Sequence, residues 1–129
     1  MAARGIIKLS MSVPRNEFPV IWSITPEKID AVVRKIVLIV QPRKIILFGS
    51  IAAGTPNIHS DLDILVVTKD EVENRRKESV RIRRALRGIS MPMDILVIPE
   101  KRLRQLADQP GLVYREAIRY GRVVYESAG

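Results

Sequence analysis

KIILFGSIAAGTPNIHSDLDILVV, running from Lys44 to Val67, is the stretch whose reading decides the fold. It opens as a short apolar strand, Lys44 to Phe48, and closes that strand with the turn Gly49-Ser50. After a loop, a second strand begins with Asp61 and Asp63. Two residues apart on an extended chain, these carboxylates project to one face. A third, Asp94, stands second in another apolar strand, Met93 to Ile98. Two strands, three carboxylates and a Gly-Ser turn together point to a metal-dependent phosphoryl-transfer site.

Working outward, Thr25-Pro26-Glu27 is a helix start, with Thr25 as N-cap, Pro26 at the first helical position and Glu27 in the first turn. Ile29, Val32, Val33, Ile36, Val37 and Val40 then recur at helical spacing until Pro42 stops the helix, which should pack on the sheet. Residues 69–88 read as a highly charged helix with Val72, Val80, Ile82 and Leu86 as its buried stripe and Gly88 as its C-cap. A short helix over Glu100 to Asp108 ends before Pro110, and another runs from Gly111 to Tyr120, burying Val113, Ala117 and Ile118. Arg122 to Glu126 is a final strand. Residues 1–24 carry Pro14 and Pro19 and no clean period, so they read as an extended arm before a single domain over 25–129; Ile6 to Leu9 is an alternative edge strand.

The central stretch excludes several sites. Gly49 and Gly54 have the spacing of a P-loop, but Thr55-Pro56 stands where Lys-Ser/Thr is required, so the lysine that reaches the terminal phosphates is missing. An EF-hand fails because Leu65 and Val66 occupy positions that need an oxygen ligand and a glycine. Ser50 and His59 have no supporting acid or nucleophile elbow for a hydrolase, and a lone loop histidine is most simply a solvated one. What survives is hard-cation chemistry. Carboxylates about 6.6 Å apart along a strand can converge on a pair of Mg²⁺ ions, and a third can ligate the second ion or accept a proton. Gly49 permits a tight turn and close approach to a ligand, and Ser50 adds a hydroxyl for phosphate.

Bulk properties bound the partners. The 129 residues are 47% hydrophobic and 28% charged, the composition of a globular domain with a core. There is no cysteine, which excludes a thiolate metal site and a disulfide framework and fits a cytoplasmic protein. No apolar run approaches the ~20 residues that span a bilayer, so no membrane association is expected. A net charge of +8 favours anionic partners such as nucleotides, nucleic acid or an acidic protein surface.

Gly49-Ser50, ten intervening residues, Asp61-x-Asp63 and a distant strand Asp94 resemble the DNA polymerase β-like nucleotidyltransferase superfamily, and the short chain is similar to its minimal nucleotidyltransferases. The tail, Pro110 to Ala117 and then Tyr120 to Glu126, has the same likeness, so the resemblance spans roughly residues 26 to 126. It implies an α+β fold, a single-domain polymerase β-like nucleotidyltransferase with a mixed β-sheet flanked by helices. It implies that Gly49 and Ser50 hold the triphosphate of an NTP, that Asp61 and Asp63 ligate Mg²⁺, and that Asp94 is the third carboxylate and the base. The implied reaction moves a nucleoside monophosphate, AMP from ATP, to a hydroxyl with release of pyrophosphate. The implied partner is a helical HEPN-type protein, adenylylated by this chain as the antitoxin of a toxin–antitoxin pair. Transfer to RNA or a small molecule, and a non-catalytic nucleotide- and partner-binding module, are the alternatives. One departure stands out. Members of the group often read GSxARG, whereas Ala53 occupies the arginine position here, so a phosphate-binding cation is either lost or supplied by Lys44, His59 or the basic helix.

Overall fold

The structure is a computed structural model that describes residues 5–7, 24–54, 60–69 and 74–128. In chain order its elements are β1 (Gly5–Ile7), α1 (Pro26–Val40), β2 (Lys44–Phe48), α2 (Gly49–Ala53), β3 (Leu62–Thr68), α3 (Arg75–Ala85), β4 (Met93–Pro99), α4 (Glu100–Leu106), α5 (Val113–Tyr120) and β5 (Arg122–Ser127). Of the alternative edge strand, Ile6 and Ile7 lie in β1, and Lys8 and Leu9 fall outside the described residues.

Local signals start and stop these elements as their chemistry requires. Thr25 Oγ1 accepts the Lys28 backbone N–H at 3.1 Å, which satisfies one of the orphan donors of α1. Gln41, in the left-handed region at φ 50°, ends α1, and its N–H closes back on Val37 O. The side chain of Asn74 caps α3 in the same way, accepting from the Lys77 N–H at 3.0 Å.

The sheet has the order β1-β5-β2-β3-β4. Pairs β1/β5, β5/β2 and β2/β3 are antiparallel, whereas β3 and β4 run parallel, with α3 between them in the chain. A parallel pair covered on both faces reads as an unbroken apolar run, which accounts for Ile64 through Val67. The alternate residues of that run feed two cores. Ile45, Leu47, Leu62, Ile64, Val66, Ile95 and Val97 pack under α1 and α3, against Ile29, Val32, Val33, Ile36 and Ile82. Ile46, Phe48, Leu65, Val67 and Ile98 pack on the opposite side with Leu103 of α4 and Ala117 of α5. A register shift between Ile45 and Ile46 places one extra β5 residue in that ladder, and Val124 and Tyr125 are both buried in the α1/α3 core.

Four features of the helices differ from the sequence reading. α3 buries Ile82 and Leu86, as expected, but Val80 is 43% exposed. A residue two positions from Ile82 is about 200° away around a helix, so Val80 cannot share its stripe; Val72 lies outside the described residues. In α5 only Ala117 is buried, with Tyr114 beside it three residues earlier, while Val113 and Ile118 are 37% and 43% exposed. α5 also begins at Val113, because Gly111 has φ +81° and cannot continue a right-handed helix. α3 ends at Ala85 with Leu86 as its C-cap, so Gly88 is not the cap. Among the described residues no helix is long and apolar enough to cross a membrane.

Candidate functional site

The register of the sheet lays out the site. Phe48 of β2 is opposite Asp63 of β3, and Asp63 is opposite Asp94 of β4, so the three form one row across neighbouring strands. Period-two alternation puts Asp63 on the face of Leu65 and Val67, and Asp94 on the face of Leu96 and Ile98. Both carboxylates therefore stand at the mouth of the α4/α5 core. The mouth is fixed just below them, where the Leu62 N–H donates to Pro92 O at 3.0 Å. Asp61 lies one residue before β3 and is exposed, Asp63 is half-buried, and Asp94, on the edge strand, is exposed.

The Gly49-Ser50 turn meets this row directly. Gly49 has φ +79°, a conformation glycine adopts without penalty. A Cβ built there would overlap Asp63 Oδ2, so the missing side chain also leaves room for the carboxylate. Ser50 Oγ donates to Ser60 Oγ at 2.9 Å, tying the first turn of α2 to the residue before Asp61. Five residues foreseen for the site, Gly49, Ser50, Asp61, Asp63 and Asp94, are thus placed around one end of β2, β3 and β4.

Like charges crowd there. The Asp63 carboxyl is held above its ordinary range, first by burial and then by the charges of Asp94, Asp61 and Glu116. Glu116, on α5, is an acid that nothing in its local sequence pattern marks as facing the strands. Beside it α5 and the preceding loop line an open cavity of about 480 Å³ with Leu112, Arg115, Glu116 and Tyr120. Among the described residues no three acid or histidine side chains are drawn together closely enough to hold one ion. The donor set nevertheless fits Mg²⁺: the oxygens are hard, two of the three carriers are register partners, and the repulsion on Asp63 is what a divalent cation relieves.

Substitutes for the cation absent at Ala53 can also be placed. Lys44 pairs in register with Val67 at the far end of β2 and lies 3.8 Å from Glu126 Oε2, so it does not serve this site. His59 is outside the described residues. From the basic helix one side chain does arrive: Arg83 Nη2 is 3.6 Å from Asp94 Oδ1.

Comparison with known proteins adds the following. The sequence profile of a family described as "Nucleotidyltransferase domain" matches residues 27–124. A comparison with curated protein sequences gave no match. Among solved structures, one described as a toxin–antitoxin with AMP-PNP superposes with a TM-score of 0.50 at 23% identity, covering 81% of this chain and 76% of that one. Another, a mutant of the toxin–antitoxin MntA–HpeT, gives a TM-score of 0.46 at 23% identity, covering 82% and 76%.

Proposed function

The chain belongs to the nucleotidyltransferase domain family, and on that premise we propose that it transfers a nucleoside monophosphate, AMP from ATP, to a hydroxyl on a protein partner. The observation that carries the proposal is the register row that brings Asp63 beside Asp94, with Asp61 just before it and Gly49 packed against the Asp63 carboxylate. Asp61, Asp63 and Asp94 would hold Mg²⁺. When bound, the ion supplies Lewis-acid polarisation of the phosphoryl oxygens and lowers the pKa of the attacking hydroxyl.

The chain's own residues supply position and proton transfer. Gly49 leaves backbone uncovered beside Asp63, where a triphosphate can approach, and the Ser50 hydroxyl, now shared with Ser60, is available to a phosphate oxygen. In the reaction the acceptor oxygen bonds to the α-phosphorus, the bond from that phosphorus to the bridging oxygen breaks, and pyrophosphate leaves. Asp94, the solvent-facing member of the row, accepts the hydroxyl proton. Asp63, anchored on the interior strand β3 between β2 and β4, holds its position throughout.

The partner is inferred from likeness. A structural neighbour was solved as a toxin–antitoxin with an ATP analogue, and some of the minimal nucleotidyltransferases that this sequence resembles act as antitoxins on HEPN-type helical proteins. A role as the antitoxin of such a pair, acting in the cytoplasm, is therefore the reading we favour. Its test is incubation of the protein and a co-expressed HEPN partner with α-phosphate-labelled ATP and Mg²⁺. Label should pass to the partner, and the double variant Asp61→Ala with Asp63→Ala should transfer none. Undiminished labelling by that variant would overturn the assignment.

A further inference from the structure

Among the described residues β4 is the edge strand of the sheet, so its outward-facing carbonyls have no strand partner there. Arg83, in the last turn of α3, reaches this edge: Nη2 donates to Ile95 O at 3.4 Å and lies 3.6 Å from Asp94 Oδ1. Among the described residues it is the one ion pair made by any of Asp61, Asp63 and Asp94. On its other side Asp94 faces Asp63, whose charge repels it. Attraction from outside and repulsion from inside pull the Asp94 carboxylate in the same direction, away from the row.

We infer that Arg83 is a positioning residue that competes with the divalent cation for Asp94, holding this third carboxylate at the strand edge until an ion draws it inward. The inference rests on the metal site proposed above. It agrees with the dispersal of the three acids, which are not gathered to ligand distance. The strength of the hold also suits the role. The two side chains are 52% and 60% exposed and their contact is a single one, so the pair is weak and reversible. A buried, two-pronged pair would instead lock the carboxylate out of the site. The bond to Ile95 O keeps the guanidinium at the edge when Asp94 leaves it, so the carboxylate moves and the arginine stays.

The test uses Mn²⁺ alone, without nucleotide, and reads free ion by electron paramagnetic resonance. Arg83→Gln should bind Mn²⁺ about threefold more tightly than the parent, the size expected for loss of one exposed competing ion pair, and Arg83→Lys should return close to the parent value. Arg84→Gln removes the same charge from the next position of the helix, where no carboxylate of the row is touched; it measures the general field and should shift binding much less. In an Asp94→Asn background, Arg83→Gln should add nothing beyond that field effect. Thermal unfolding of each variant confirms that it is folded. Equal binding by Arg83→Gln and Arg84→Gln, or tightening by Arg83→Gln that survives Asp94→Asn, would overturn the inference while leaving the metal site intact. If the parent binds Mn²⁺ no better than Asp61→Ala with Asp63→Ala, the metal site itself fails and the inference falls with it.

Discussion

Gly49→Ala tests the geometry of the site without touching a carboxylate. Alanine at φ +79° pays roughly 1 kcal/mol of left-handed strain. Its Cβ would also overlap Asp63 Oδ2, with Asp63 Cγ only 3.1 Å away. Asp63 is held between β2 and β4, so relief must come from twisting its side chain, at about 0.5–1.5 kcal/mol for a rotamer pushed off its well. Gly54→Ala provides the matched control, because Gly54 has φ +80° and, among the described residues, nothing within 4 Å of its added Cβ. Gly111, at φ +81° and equally open, is a second. The difference between Gly49→Ala and either control should therefore be about 1 kcal/mol, or about 4 °C in Tm for a domain of this size, by urea and thermal unfolding without metal. Mn²⁺ affinity should fall for Gly49→Ala and hold for the controls. In an Asp63→Ala background the stability difference should vanish, since the obstructing oxygen is gone. Equal costs at Gly49 and Gly54, or a difference that persists without the Asp63 carboxylate, would refute the packing of glycine against aspartate.

Two further outcomes follow from the same row. Asp63 has its carboxyl raised in the folded state, so the folded protein binds that proton more tightly than the unfolded chain does. Its contribution to stability is then greatest below about pH 4 and is lost as pH rises through the raised value; Asp63→Asn should raise the Tm of the metal-free protein at pH 7 and flatten that part of the pH dependence, and a lower Tm at pH 7 would count against the repulsion argument. Ser50→Ala removes the donor to Ser60 and should cost about 1 kcal/mol of stability, together with weaker ATP binding by calorimetry; an unchanged unfolding midpoint would show that the hydroxyl pair contributes nothing.

What could be read from the sequence was what depends on local chemistry. The Thr25 cap, the strand Lys44–Phe48 and the alternate-residue facing of Asp63, Leu65 and Val67 follow from spacing and side-chain type alone, and the structure has all of them. The pairing of Asp94 with Asp63 needed a guess about which strands neighbour each other, and the parallel register satisfies it. Sequence and structure part where a few apolar residues must define one face of a short, charged or terminal helix. Val80, Val113 and Ile118 are hydrophobic and exposed; in α3 and α5 so few positions are apolar that one misplaced residue changes the inferred stripe. Glu116 and Arg83 could not be singled out. Each is one charge among several on its helix, and its importance comes from a sheet edge or face that only tertiary structure brings near.

The two register partners also occupy unequal places, and the inequality bears on their proposed roles. Asp63 lies on an interior strand, half-buried, with Phe48 opposite on one side and Gly49 packed against its oxygen. Its room to move is narrowed by Gly49 and by the strands on either side, which suits the proposed fixed ligand whose charge a cation would relieve. Asp94 lies on the edge strand, solvated and weakly paired to Arg83, and can change rotamer without disturbing a core. A group that must first join a metal site and then take a proton from an incoming hydroxyl needs that freedom. The same carboxylate on an interior strand would be too confined to deliver the proton to solvent, and Asp63 on the edge would lose the confinement that makes it a precise ligand. In the proposed mechanism, strand order, more than residue type, would divide the work between two chemically identical side chains.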